Sequence, residues 1–348
     1  MPDFLWRVHE SLARRVGLAP LALAELGYAG GASLHRWVYD AGLRGRARLD
    51  ARVVSVGNLA VGGSAKTPVA AFLARELHAR GRRVALLSRG VGGRRAAELN
   101  VVSDGERLLA TPSDVGDEPC LLAASAPGVP VLAGVRRVAL GLRAIAAFGA
   151  EVLVLDDGFQ HHPLARDLDL VCLDARLGLG NGHVLPRGPL REPVRVLGRA
   201  DALVWTRAGA NDPPPPGRER LPGALPQFRV VLAKLGLRPI AAGVRAPLER
   251  LRGARVGLLA AIARPDRLAS DLAELGAEIS ARRVFADHHR YTRADLATLD
   301  PALLWVTTAK DAVKIPPSWL ARAELVVLDE DVERESSLPL VDFVSARL

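Results

Sequence analysis

Hydrophobic and polar residues alternate along this chain in a way that predicts parallel β-strands joined by helices. An apolar run over residues 52–56 leads into a glycine-rich loop, and a helical pattern then covers residues 66–79. A second apolar run follows at residues 84–88. Strands that alternate with helices are typical of a mostly parallel sheet with helices on both faces. The pattern therefore predicts an α/β fold.

The alternation of strands and helices continues, is interrupted by a proline-rich stretch, and then resumes. Further strands are predicted at 130–133, 151–155, 169–173 and 202–206, with a helix at 138–148. Prolines at 213–216, 222 and 226 then exclude a long helix or a central strand. A second α/β unit follows, with strands at 256–262, 303–307 and 325–328 and a helix at 265–275. We expect an N-terminal segment (1–50), a first domain (51–210), a proline-rich linker (211–230) and a smaller α/β domain (231–348).

The N-terminal segment is more apolar than the rest. Residues 16–34 carry one formal charge, Glu25, and arginines lie on both sides of them. A bilayer-spanning helix needs about 20 apolar residues, but Glu25 and Pro20 disfavour spanning. Aromatic residues of amphipathic character occur in and beside the stretch: Trp6, Tyr28, Trp37 and Tyr39. We expect an apolar helical segment that contacts an anionic membrane surface, with a buried helical hairpin as the alternative.

The composition is that of a folded protein, with 49% hydrophobic and 24% charged residues. A net charge of +9 is compatible with nucleic acid, nucleotide phosphates or an anionic membrane as a partner. Cys120 and Cys172 lack metal-binding spacing, which indicates buried thiols in a reducing cytoplasm. Only four of the 47 basic residues are lysines, Lys66, Lys234, Lys310 and Lys314. Since arginine serves elsewhere as the positive charge, a lysine indicates a need for a compact ammonium group.

The loop before the first predicted helix resembles a phosphate-binding loop. It reads GNLAVGGSAKT from residue 57 to residue 67. Backbone N–H groups at a helix N-terminus favour phosphate, Lys66 would reach the β- and γ-phosphates, and the Thr67 hydroxyl would bind Mg²⁺. The usual P-loop pattern has glycine where Ala60 and Ala65 stand, so a glycine-rich turn with a surface lysine is the alternative. The candidate nucleotide-binding residues of the loop are Gly62, Gly63, Ser64, Ala65, Lys66 and Thr67.

Two groups of acids are candidates for chemistry. Asp156 and Asp157 follow an apolar strand, at the sheet edge to which the glycine-rich loop also leads. They could bind a metal or orient an attacking hydroxyl, or they could form a solvated turn. Asp117 and Glu118 stand where a helical run opens, and on sequence alone a helix-capping role is favoured for that group.

Eight motifs in one order resemble those of the tetraacyldisaccharide 4'-kinases, over nearly the whole chain. They are GN at 57–58, GGSAKTP at 62–68, SRG at 88–90, GDEP at 116–119, DDGFQH at 156–161, LPRGPLRE at 185–192, DHH with YT at 287–292, and KDAVK at 310–314. The resemblance implies that ATP phosphorylates the 4'-hydroxyl of a tetraacylated glucosamine disaccharide 1-phosphate. The product would be lipid IVA, and the enzyme would be peripheral or monotopic at the cytoplasmic face of the inner membrane.

The same resemblance implies roles for individual residues. Asp117 would deprotonate or orient the acceptor hydroxyl, and His288 of the second domain would be its partner. ATP and Mg²⁺ are the implied cofactors. The residues expected around the phosphates and Mg²⁺ are Lys66, Thr67, Glu118, Asp156, Asp157 and Glu192. Those expected near anionic oxygens or along the same edge are Arg137, Arg191, Gln160 and His161.

Two other functions stay open on sequence. A P-loop kinase or ATPase acting on a soluble metabolite would keep the loop and the acids but would have no use for the apolar N-terminus. A nucleic-acid-binding role is suggested by charge alone, and we find no basic stripe interleaved with aromatic residues. We therefore expect no nucleic-acid partner, and no obligate protein partner is evident. Lys310 and Lys314 fit either phosphate or substrate contacts or solvated positions.

Overall fold

The computed structural model describes residues 20–348 apart from residues 210–215, 224, 242 and 321. Within these residues the chain forms a large sheet of eight strands and a smaller sheet of five. Helices flank a mostly parallel arrangement of strands, so the predicted α/β class is confirmed.

The larger sheet has the strand order β3-β4-β2-β5-β1-β6-β7-β8. All neighbouring strands are parallel except β3, which runs antiparallel to β4 at one edge. The strands are β1 (Arg52–Asn58), β2 (Val84–Ser88), β3 (Asn100–Ser103), β4 (Val131–Ala133), β5 (Val152–Asp156), β6 (Leu168–Asp174), β7 (Ala202–Thr206) and β8 (Gln227–Val230).

Successive side chains of a central strand enter the cores on opposite faces of this sheet. Along β1, Val54 packs with the residues of one core and Val53 with those of another. Both valines are fully buried, which explains why β1 reads as a continuous apolar run. The helices of this part are α1 (Leu21–Asp40), α2 (Lys66–Ala79), α3 (Pro112–Val115), α4 (Asp117–Ser125) and α5 (Arg137–Phe148).

The smaller sheet has the order β11-β10-β12-β13-β9, with β9 antiparallel to β13. Its core contains apolar side chains of the interior strand β10 and of the helix that follows it, such as Leu258 and Leu268. The strands are β9 (Leu232–Pro239), β10 (Arg255–Ala260), β11 (Glu278–Val284), β12 (Leu304–Thr307) and β13 (Glu324–Val332). The helices are α6 (Pro265–Glu274), α7 (Arg293–Ala297), α8 (Ala309–Ala312) and α9 (Arg334–Ser345).

The division between the two parts differs from the predicted one in two places. Residues 227–230 fall in the predicted linker, yet they form β8 at the edge of the larger sheet. Helix α9 falls in the predicted second domain, yet Leu340, Val341 and Val344 are buried in the core of the larger sheet. The chain therefore crosses between the parts twice, after β8 and after β13. The sequence pattern did not predict that α9 packs on the larger sheet, because the apolar face of a helix does not show which core it joins.

Helix α1 has no buried residue, so the predicted buried hairpin is wrong for residues 21–40. No helix among the described residues combines the length and the apolar character needed to cross a bilayer. The part of the predicted apolar stretch before residue 20, together with Trp6, lies outside the described residues. Cys120 and Cys172 are buried free thiols, as predicted.

Candidate active site

The glycine-rich loop and the acid pair meet at one edge of the larger sheet. Strands β1 and β5 are parallel neighbours in which Val56 pairs with Asp156, so the C-terminal ends of both strands lie at the same edge of the sheet. The Thr67 hydroxyl donates to both Asp156 carboxylate oxygens, at 3.3 and 3.2 Å. Asp156 is 1% exposed. The predicted proximity of loop and acids is confirmed, and the solvated-turn alternative is wrong for Asp156.

Side chains from neighbouring strands hold the loop in shape. The Asn58 amide donates to Ser64 Oγ at 3.0 Å. The Thr206 hydroxyl donates to the Ser64 carbonyl at 2.9 Å, and the Arg207 guanidinium donates to the Gly63 carbonyl at 2.8 Å. Thr206 and Arg207 stand at the end of β7, and sequence reasoning missed them because no motif contained them.

The backbone of the loop turns left-handed at two points. Gly62 has a φ of 103°, and a Cβ there would lie 3.2 Å from the Arg264 guanidinium, which belongs to the second domain. Ala65 has φ 53° and ψ 24°, directly before helix α2. A left-handed conformation costs a residue with a Cβ about 1–2 kcal/mol. Glycine avoids this cost, which is the physical reason that P-loop patterns carry glycine at the position of Ala65.

Lys66 lies among carboxylates rather than on an open surface. Burial disfavours its charge, but the negative charges of Asp156, Glu118 and Asp157 outweigh burial and raise its pKa. The ammonium group is thus fully charged at neutral pH. Its location at the first turn of α2, beside the N–H groups of the loop, gives the site two independent sources of positive potential.

The adjacent acids have different environments. Burial, with the charges of Glu118 and Asp157, raises the pKa of Asp156 to about 7 although Lys66 opposes it. Burial also disfavours the charge of Asp157, but Lys66 and Arg191 outweigh it and lower the pKa of that carboxyl. Arg191 donates to Asp157 Oδ1 at 2.8 Å. Asp157 is therefore ionised, whereas Asp156 would gain from an added cation.

The other predicted residues of this edge also lie together. The Gln160 amide donates to the Asn58 carbonyl at 3.1 Å, and its oxygen accepts from Arg191 at 3.4 Å. The buried Arg137 guanidinium donates to the carbonyl of Asp156 at 3.2 Å. These contacts join the start of α5, the acid loop and the segment that carries Arg191.

His161 is uncharged in this environment. Burial, followed by the positive charge of Arg137, lowers the pKa of its imidazole to about 3. Its Nε2 atom is buried without a hydrogen-bond partner among the described residues. The Nε2 atom of a neutral imidazole either donates or accepts one hydrogen bond, depending on the tautomer. His161 is therefore suited to bind a polar ligand group at this edge.

Glu192 pairs with arginines outside this group. Its carboxylate pairs with Arg199 at 3.0 Å and with Arg36 of α1 at 3.6 Å. Arg191 beside it contacts Asp157 instead. The predicted role of Glu192 as a metal ligand stays a prediction.

The second domain adds a histidine to the acid at the start of α4. His288 Nδ1 lies 2.9 Å from Asp117 Oδ1 and 3.1 Å from Oδ2. Asp117 is 4% exposed and follows Gly116, whose φ of 91° leaves no room for a Cβ against the Val91 carbonyl. Asp117 and Glu118 thus stand in the first turn of a helix, as predicted, but no side chain caps that helix, and Asp117 instead meets the residue that the family resemblance pairs with it.

The surroundings of Asp117 and His288 favour the charged form of both side chains. The hydrogen bond from His288 and the charges of Lys310, His288 and Lys314 overcome burial and lower the pKa of Asp117. The hydrogen bond to Asp117 is the main cause that raises the pKa of His288.

Two lysines of the KDAVK motif complete this group. Lys314 lies 2.8 Å from Asp311 and 3.8 Å from Asp117, with a side chain only 7% exposed, so the solvated alternative is wrong for it. Lys310 lies 3.3 Å from Asp287 and 3.7 Å from Glu118. A cavity of about 480 Å³ opens beside them and is lined by both domains, including Asp117, His288 and Trp319.

Backbone strain is concentrated at this edge. Among the described residues, the non-glycine residues with positive φ are Ala65 (53°), Asp157 (57°), Arg207 (59°) and His288 (62°). Each belongs to the loop, to the acid pair or to the contacts around them. Such strain persists only where surrounding structure enforces it, and it is common at functional sites.

The described residues contain no set of three or more His, Cys, Asp or Glu side chains arranged to hold a metal. The Thr67 hydroxyl and the Asp156 carboxylate nevertheless supply hard oxygen donors beside Lys66. Mg²⁺ is commonly held by one or two carboxylates together with water and substrate phosphates. The donors present fit a Mg²⁺ ion that enters with a nucleotide.

Comparisons with known proteins agree on one family. The family model described as tetraacyldisaccharide-1-P 4'-kinase matches residues 16–345. A tetraacyldisaccharide 4'-kinase from an Anaeromyxobacter species is 44% identical, covering 94% of this chain and 91% of that protein. One from Syntrophus aciditrophicus is 41% identical, covering 89% of each. A crystal structure of LpxK from Aquifex aeolicus with ATP has a TM-score of 0.78 and 29% identity, covering 94% of this chain and 98% of that one.

Proposed function

The chain belongs to the tetraacyldisaccharide-1-P 4'-kinase family, and we propose that it transfers the γ-phosphoryl group of ATP to the 4'-hydroxyl of a tetraacylated disaccharide 1-phosphate. The product is lipid IVA, an intermediate of lipid A synthesis. The observation that carries this proposal is the meeting of two groups at one edge: Lys66 with its acids, and Asp117 with His288 from the second domain.

The phosphate side of the site is built for ATP. The N–H groups of the loop 62–65 and the N-terminus of α2 bind the phosphates, which makes this a P-loop in function. Lys66 and Arg191 neutralise the charge on the phosphates. Arg137 helps to hold the acid pair in place, because it donates to the Asp156 carbonyl. Phosphoryl transfer depends mainly on such positioning and charge neutralisation.

On the same side, Thr67 and Asp156 would hold Mg²⁺ when nucleotide is bound. We assign Asp157 and Glu118 to the surroundings of the ion, because their charges act on Asp156. The ion, when bound, neutralises phosphate oxygens. Burial raises the pKa of Asp156. A bound cation would lower that pKa again and so favour the ionised carboxylate. Glu192 pairs with two arginines, so we assign it to the support of the 185–192 segment.

Asp117 acts on the acceptor. It orients the 4'-hydroxyl and accepts its proton as the oxygen attacks the γ-phosphorus, while the bond from that phosphorus to the β,γ-bridging oxygen breaks and ADP leaves. His288 holds the carboxylate through Nδ1 and, with Lys314, keeps it ionised until the hydroxyl arrives. Because His288 belongs to the second domain, the pair is complete only when the domains are together, which couples catalysis to closure.

The lipid acceptor reaches the site from a membrane. Helix α1 contacts the protein through Glu25, which accepts from the Val184 N–H at 3.0 Å, and through Arg36. Its opposite side is an apolar stripe that faces solvent, with Leu23 78%, Leu26 68%, Leu34 60% and Trp37 54% exposed. A helix of this kind lies in the interfacial layer of a bilayer. We place the protein at the cytoplasmic face of the inner membrane as a peripheral or monotopic enzyme.

The direct test is incubation with ATP, Mg²⁺ and the disaccharide 1-phosphate acceptor, followed by mass spectrometry. We expect one added phosphate on the lipid and its position at the 4'-oxygen. Asp117→Asn serves as the control that keeps the fold and removes the product. ATP hydrolysis with no phosphorylated lipid, or phosphate transfer to a soluble sugar alone, would contradict the proposal.

A further inference from the structure

A second cavity, of about 590 Å³, lies on the other side of the acid loop, at the C-terminal end of α1. Its lining is dominated by arginine, and it includes none of the residues assigned to ATP or to the acceptor hydroxyl. The arginines are Arg36, Arg46, Arg48, Arg166, Arg195 and Arg199.

The cavity has an excess of positive charge. Arg166 pairs with Asp169 at 2.9 Å, Arg199 pairs with Glu192 at 3.0 Å, and Arg36 and Arg46 share Asp40. Three carboxylates thus form ion pairs with four arginines. Arg48 and Arg195 have no ion pair within the part of the chain that the structure describes. Arginines gathered without enough counter-charges are typical of a site for an anion, and the guanidinium fork matches phosphate.

Buried polar atoms in the lining also lack partners. His162 lines the cavity and is 2% exposed, and its Nδ1 atom makes no hydrogen bond among the described residues. Burial, followed by the charge of Arg199, lowers the pKa of His162 to about 3, so its ring is neutral. Arg199 Nε is likewise buried without a partner. Unpaired buried polar atoms cost stability unless a ligand or water satisfies them.

The position of the cavity connects it to both the membrane and the reaction. His162, which lines the cavity, follows His161 of the phosphate side in the chain, so the two sites meet at consecutive residues about 3.8 Å apart at Cα. Helix α1 contributes Arg36 to the cavity and turns its apolar stripe to the opposite side. A ligand here is therefore held beside the phosphate side of the site and beside helix α1.

From these observations we infer that the arginine-lined cavity binds a phosphate group carried by a lipid. Two sources share this chemistry: the 1-phosphate of the acceptor, which does not react, and the headgroup phosphate of a bilayer phospholipid. Binding of either one positions the acceptor sugar relative to Asp117. The inference rests on the proposed lipid-kinase function, and the experiment below separates failure of the two.

The test uses Arg48→Ala/Arg195→Ala, because both side chains are exposed and unpaired and their removal leaves the core intact. The matched control is Arg252→Ala/Arg293→Ala, two exposed arginines of the second domain. Kinase rates are measured in neutral detergent micelles without phospholipid, on the acceptor and on the same disaccharide without its 1-phosphate. Co-sedimentation is measured with phosphatidylcholine vesicles that contain phosphatidylglycerol.

If the cavity holds the acceptor's phosphate, the double variant raises KM about tenfold for the 1-phosphate acceptor and leaves the dephosphorylated acceptor unchanged. If it holds a bilayer phosphate, the variant keeps its KM in micelles but binds vesicles about tenfold more weakly than the control. Equal behaviour of variant and control in both assays, or an equal loss on both acceptors, overturns the inference. A wild-type protein that phosphorylates neither acceptor contradicts the proposed function instead, while vesicle binding still reports on the cavity.

Discussion

The two sides of the candidate site are built in different ways. The phosphate side lies within one sheet, where the register of β1 and β5 fixes Thr67 against Asp156. The acceptor side exists only across the two domains, where His288 and Lys314 approach Asp117. Separation of the domains would leave the phosphate side nearly unchanged and would dismantle the acceptor side. Nucleotide binding and acceptor activation can therefore fail independently. Variants on the two sides should be distinguishable by their effects on ATP binding and on turnover.

The largest effect is expected on the phosphate side. Lys66→Met removes the ammonium group that interacts with Asp156, Glu118 and Asp157, so phosphate would meet an excess of negative charge. We expect kcat/KM for ATP to fall by about a thousandfold or more. Lys234→Met is the control, since that lysine pairs with Asp271 in the second domain. A Lys66 variant within tenfold of wild type would show that the loop does not bind the triphosphate.

On the acceptor side the loss should fall on turnover alone. Asp117→Asn keeps the shape of the side chain but removes its ability to accept a proton, and we expect kcat to fall by about 10²–10⁴. ATP affinity, measured by calorimetry, should stay within about threefold of wild type. Asp114→Asn changes a half-buried acid that pairs with Arg94 and should keep near-normal turnover. Loss of ATP binding in the Asp117 variant would contradict the separation of the two sides.

The domain contact should depend on pH through His288. Its pKa is raised in the folded protein, so its stabilising effect is complete below the unfolded value of about 6.5 and is lost as pH rises through the folded value. We expect the Tm of wild type to exceed that of His288→Gln at pH 6 and this difference to shrink toward pH 9. The control, His289→Gln, keeps the Asp117 contact. A difference that grows with pH would show that His288 is not held as the charged partner.

The smallest effect concerns the strained turn. Ala65→Gly removes a Cβ from a left-handed residue, which we expect to raise the free energy of unfolding by up to about 1 kcal/mol after the added flexibility of the unfolded chain is subtracted. In Ala79→Gly the same change is made at the end of α2, where the backbone is helical, and should be destabilising. Chemical denaturation measures both. Equal destabilisation by the two substitutions would argue that Ala65 is unstrained.

Sequence reasoning succeeded where local pattern and topology agree. The strand that ends in Asp156 and the loop that ends in Lys66 had to share an edge once the sheet was parallel. Reasoning from residues alone did not reach His288, because the second domain brings it to Asp117 over a separation of 171 positions; the family motifs supplied it. Edge strand β11 was missed because four of its seven side chains are not apolar, and Arg264 was missed because it belongs to no motif.

The central claim is that Asp117 and His288 act as one unit on the acceptor hydroxyl, and a double-mutant cycle in kcat tests it most directly. The rates of Asp117→Asn, His288→Gln and the double variant are measured with saturating ATP and the lipid acceptor. We expect the double variant to be only slightly slower than Asp117→Asn, because the second substitution removes a partner that has already lost its function. Losses that multiply would show that the two residues act independently and would contradict the account.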